Sequence, residues 1–105
     1  MDADGVTEND DDAGAVTTEL ERVVRRWQQL PLDRALPAVP AVAAVVQGLA
    51  DEVSDISGVP RTPVPDLGPA VLMDQLRVMV FDWRAAGLPP GELGERLTGL
   101  RRALP

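Results

Sequence analysis

Apolar residues recur at helical spacing in four separate stretches of this chain, with polar residues filling the faces between them. In the first stretch Leu20, Val23, Val24, Trp27 and Leu30 share one side of a helix at about 100° per residue. Glu19 with Arg22 and Glu21 with Arg25 stand three and four residues apart on the solvent side. Thr18 and Glu21 have the spacing of a capping box, and Pro31 stops the run, which predicts a helix over 17–30. In the second stretch Val42, Val45, Val46, Leu49, Val53 and Ile56 form the stripe, with Gln47, Asp51, Ser54 and Asp55 opposite. Pro40 suits a first helical position, so this helix is placed at 40–56, after a short turn near Asp33. Its β-branched content leaves a buried strand over Ala41–Val46 as the alternative, but the helical period continues past Val46.

The segment 57–69 carries Pro60, Pro63, Pro65 and Pro69 and is predicted to be an extended connection. A helix over 69–86 follows, its end marked by Gly87 for a left-handed cap, Leu88 for the apolar contact and Pro89 as a block. The last helix, 90–104, presents Leu93, Leu97, Leu100 and Leu104 on one side, and Gly94 and Gly99 weaken it by roughly 1 kcal/mol each relative to Ala.

The 69–86 helix departs from simple amphipathicity. Leu72, Leu76, Met79, Val80 and Trp83 make one apolar stripe, while Val71, Val78, Phe81 and Ala85 make a second, interrupted by Asp74. Gln75 with Asp82, and Arg77 with Arg84, form the polar seams between them. A helix apolar on two sides must cover both. Enclosure between other helices of the same chain is the simpler solution. Burial of Val71, Val78, Phe81 and Ala85 against a partner or a second copy is the alternative, favoured by the smallness of the chain.

Composition narrows the chemistry. The chain has no His, Cys, Tyr or Lys, which removes most side chains that act as acids, bases, nucleophiles or metal ligands near neutral pH. Asp74, Asp82, Glu92 and Glu95 lack an apolar setting that would raise a carboxyl pKa, and Ser54 and Ser57 lack an activating base. The reading is a non-catalytic protein with no cofactor and no metal. Glu8, Asp10, Asp12 and Glu19 match part of a calcium-loop register, but the first ligand is wrong and the glycine is displaced to Gly14.

Net charge is −7, and it is uneven: residues 1–12 hold six acids and no base, and the remaining 93 residues hold eleven acids against ten arginines. Arg22, Arg25 and Arg26 on the first helix and Arg96, Arg101 and Arg102 on the last are two candidate basic patches for nucleic acid, each diluted by glutamates on the same helix. An acidic segment in the same chain competes with phosphate for them, so nucleic-acid binding stands second to protein–protein interaction. The PxxP spacing at Pro60–Pro63 reads as a stiff linker.

The sequence therefore predicts an all-α protein: a small four-helix bundle over residues 16–105, preceded by a disordered acidic tail at 1–15. The arginine-only basic usage with abundant Ala, Val, Leu, Gly and Asp suggests a bacterial source of high G+C content. Without cysteine, a leader or a spanning segment (Ala35–Val46 is short and holds Pro37 and Pro40), cytoplasmic location is the expectation. The expected partner is a protein or a second copy of the chain, with no membrane and no small-molecule substrate.

Overall fold

The computed structural model describes the backbone from Asp2 to Pro105 and the side chains from Asp12 onward. Four long helices, α1 (Asp2–Gln29), α3 (Val39–Ser57), α4 (Leu72–Ala85) and α5 (Pro90–Ala103), surround one core, and a single-turn helix α2 (Leu32–Ala35) joins the first two. Short 3₁₀ turns at Leu36–Ala38 and Pro69–Val71 lead into α3 and α4. No strand occurs among the described residues, so the Ala41–Val46 stretch is helical.

The helices form two side-by-side pairs. Along α1 and α5, Val16 lies beside Gly94 and Glu19 is bound by Arg101, so the two run in the same direction. Between α3 and α4 the connection makes the same sense possible. Gly58 takes the left-handed conformation (φ 70°), and the N–H of Val59 closes back on the Ser54 carbonyl at 3.0 Å. The chain then returns extended along α3, so that α4 starts near the beginning of α3 and runs beside it. The second pair is antiparallel to the first: the end of α1, at Val24 and Trp27, shares a recess with the start of α4 at Pro69, Ala70 and Met73. The end of α4 is written as expected. Gly87 has φ 78°, Leu88 N–H donates to the Trp83 carbonyl at 3.2 Å, and α5 begins at Pro90.

The core takes Val16, Val23, Val24 and Trp27 from α1, Val42, Val46 and Leu49 from α3, Leu72, Met73, Leu76, Val80 and Trp83 from α4, and Leu93, Leu97 and Leu100 from α5 with Leu104 just past its end. Each position buries roughly 1.5–3 kcal/mol of side-chain transfer free energy relative to exposure. Trp83, fully buried, donates from Nε1 to the Pro89 carbonyl at 3.0 Å, so its one polar atom is satisfied.

Several expectations are corrected. The helix does not begin at residue 17, and Thr18 does not cap it. Residues 12–16 are helical, Val16 is fully buried one turn before Leu20, and Thr17 Oγ1 donates to the Ala13 carbonyl within the helix. The expected acidic tail falls largely on residues 1–11, whose side chains lie outside the described residues, and so do Glu8 and Asp10 of the calcium-loop register, whereas its Glu19 is bound by Arg22 and Arg101. Ile56, expected in the α3 stripe, is 60% exposed, because it sits on the last turn past the elements that cover Leu49. Finally, the helical run Leu32–Ser57 spans 26 residues and holds an 18-residue window of mean hydropathy 1.3, long and apolar enough by those measures to cross a membrane. Here its Val42, Val46 and Leu49 face the core, and the run is not limited to the twelve residues of Ala35–Val46.

Candidate interaction face

The outer face of α4 and the groove beside it are built by the connection 59–68. Its three prolines, Pro60, Pro63 and Pro65, lack an N–H, so the polar groups left on its backbone need side-chain partners. Gln47 supplies them on the α3 side. Its Nε2 donates to the Thr62 carbonyl at 3.1 Å and its Oε1 accepts from Val64 N–H at 2.8 Å. On the α4 side Gln75 Nε2 donates to the Pro65 carbonyl at 2.9 Å. Arg61 pins the start of the strap by a paired contact to Asp55, whose carboxyl is held below its usual range by the Arg61 hydrogen bonds. Fixed at three points, the strap packs Val64 against the core and becomes one wall of a groove of about 530 Å³.

That groove is lined by Val46, Ala50 and Val53 of α3, by Val71 of the turn before α4 and by Val78 and Met79 of α4, together with Asp74 and Asp82. Phe81 stands outside it, one turn on from Val78. Phe81 is 71% exposed and Val78 53%, Ala85 is exposed, and Val71 is half-buried. The second apolar stripe of this helix is therefore not enclosed by the other described residues, which corrects the simpler solution. The physical reason is that the strap covers only the Gln75 side of α4. The two carboxylates there have no ion-pair partner among the described residues.

The six arginines singled out from the sequence do not form one surface. Arg22, Arg25, Arg26 and Arg101 border a shared recess with Gln29 and Leu104. Glu19 accepts from Arg101 and Arg22, which ties a carboxylate to two of these arginines and draws the Glu19 pKa down. Arg96 is turned elsewhere. It is ion-paired with Glu52, lies 4.9 Å from the centre of the Trp83 ring, and has its pKa raised mainly by the Glu52 hydrogen bond. Arg102 borders a third recess with Asp12 and Glu95.

Among the described residues no group of three or more acidic side chains is arranged to hold a metal ion. What the α4 face offers chemically is apolar contact and two unpaired carboxylates. Sequence reasoning missed the α3 half of this site: Gln47 and Ser54 were placed on the solvent side, yet both are half-buried. The available signal was the prolines of 60–65, whose neighbours' carbonyls and the Val64 N–H require polar side chains close by.

Comparison of the chain with protein-family models, curated proteins and solved structures gives no match.

Proposed function

We propose that this protein is a non-catalytic helical interaction module whose binding face is the outer side of α4 and the groove beside it. One observation carries the reading: the single Phe of the chain stands 71% exposed next to a 53% exposed Val78, on a helix whose other face is already committed to the core. Contiguous large apolar side chains at the edge of a preformed groove are what a helical protein interface presents before it is covered. The absence of His, Cys, Lys and Tyr supports the non-catalytic part.

Photo-cross-linking in the source cells tests this. Benzoylphenylalanine in place of Phe81 is expected to give one or a few discrete adducts, and the same group in place of exposed Gln28 is expected to give none of them. Identical adduct patterns at the two positions would overturn the assignment of the face.

A further inference from the structure

We infer that the groove between α3 and α4 takes a cationic amphipathic helix: a partner segment with an apolar stripe for the groove and Lys or Arg beside it for Asp74 and Asp82. The inference rests on the interaction reading above and adds the chemistry of the partner.

The charge argument comes first. Among the described residues, Asp74 and Asp82 are the only ionisable side chains lining the groove, and no arginine lines it with them. Neither carboxylate is ion-paired with another described residue. Arg77, three residues from Asp74, borders the recess at the end of α1, which Asp74 also lines, and Arg84 is two residues from Asp82; neither arginine lines the groove or is ion-paired with these carboxylates. A partner that buries Val78 must place its own rim beside two carboxylates that have no ion-pair partner among the described residues, so a cationic rim is complementary and an anionic one is repelled. The two carboxylates are eight residues apart on α4, or about 12 Å along its axis, which matches cations two turns apart on a docked helix.

The backbone argument excludes an extended partner. Strand addition needs a row of free N–H and carbonyl groups on the wall that receives it. Here the Thr62 and Pro65 carbonyls already accept from Gln47 and Gln75, the Val64 N–H is already donated, and Pro63 and Pro65 have none to give. Contact must therefore come from side chains, which an amphipathic helix supplies at i, i+3, i+4 and i+7.

The chain itself is a poor occupant. Its first twelve residues have the wrong sign, with six acids and no base. Its exposed apolar–basic segment, Leu32 to Leu36, offers a single cation, Arg34, over little more than one turn. That cannot reach both carboxylates.

The test uses the full chain and two fluorescein-labelled 14-residue peptides with the same leucine positions, one filled with Lys and the other with Glu. Fluorescence anisotropy is expected to show the Leu/Lys peptide binding ~10-fold or more tightly than the Leu/Glu peptide at about 50 mM salt, with the preference narrowing at about 200 mM. The double variant Asp74→Asn/Asp82→Asn, with an unchanged circular dichroism spectrum, is expected to reduce that preference to about threefold or less. Because the acidic segment 1–12 is the same in both proteins, the comparison isolates the groove. Val78→Ser is expected to weaken both peptides. Equal binding of the two peptides by the wild type, or an unaltered preference in the double variant, would overturn the cationic partner; if Val78→Ser still weakens binding, the apolar face survives. No binding of the Leu/Lys peptide to the folded wild type also overturns the inference, while cross-linking at position 81 judges the interaction reading independently. A wild-type dimer that Val78→Ser dissociates would assign the groove to a second copy instead.

Discussion

Arg101 Nε donates to Glu19 Oε2 at 2.8 Å, tying the last long helix to the first across 82 positions of sequence. Arg22 holds the other oxygen of the same carboxylate at 3.1 Å, and the Glu19 side chain is only 12% exposed. The Arg101 hydrogen bond is the largest cause of its lowered pKa. A carboxyl depressed on folding stabilises above its unfolded pKa, and that stability is lost as pH falls through the folded value. Glu19→Gln is therefore expected to cost about 1 kcal/mol at pH 7, with the gap to wild type closing as pH drops below about 4.5. Urea unfolding of both proteins at pH 7, 5 and 3 checks it; a gap independent of pH would refute the ion pair as its source.

The contact between α1 and α5 gives a second prediction. A Cβ added to Gly94 would lie 3.9 Å from a Val16 methyl, an ordinary contact, and one added to Gly99 would meet nothing within 4 Å. Gly99→Ala and Gly94→Ala are each expected to stabilise by about 0.5–1 kcal/mol, the helix-interior preference of Ala over Gly. Val16→Ala removes a fully buried side chain and is expected to cost about 1.5–3 kcal/mol. Thermal unfolding of the three variants decides, and a neutral Val16→Ala would mean that residues 12–16 are not docked.

Strong periodicity made the fold legible: the leucines of α5, the stripe of α4 with its Gly87–Leu88–Pro89 ending, and the Val42–Val46–Leu49 register all occupy the predicted places. The start of α1 was not legible, because a Thr-x-x-Glu spacing also occurs inside helices, and Val16 continues the stripe one turn before Leu20. Half of the candidate site was legible as well. Val71, Val78, Phe81 and Ala85 could be grouped from one helix, but whether they were covered depended on the path of the 59–68 strap. That path is set by Gln47 and Gln75 reaching backbone groups 15 and 10 residues away. Pairings of that range leave no local pattern.

The arginine cluster at the ends of α1 and α5 carries a third prediction. With Glu19 bound between Arg22 and Arg101, and Arg96 held by Glu52, only part of the basic charge is free to meet phosphate. Duplex DNA and RNA are expected to show no saturable binding at about 50 mM salt. Glu19→Gln releases two guanidinium groups and is the variant most apt to create it. Tight, salt-sensitive binding by the wild type would revive the nucleic-acid reading.

Phe81 and Trp83 lie two residues apart on α4, yet they are 71% and 0% exposed, so the same substitution should have opposite consequences at the two. Phe81→Asp places a carboxylate in water, near Asp74, and is expected to leave stability within about 0.5 kcal/mol of wild type. Trp83→Asp strands a charge in the core, removes the Nε1–H donated to Pro89 and takes away the ring beneath Arg96, and is expected to unfold the domain. Circular dichroism and thermal denaturation of the pair read this directly. Sedimentation adds the functional half: if α4 also joins two copies, the wild type sediments as a dimer at micromolar concentration and Phe81→Asp as a folded monomer. An unfolded Phe81→Asp would show that this face is internal after all, and would remove the ground for treating it as a binding surface.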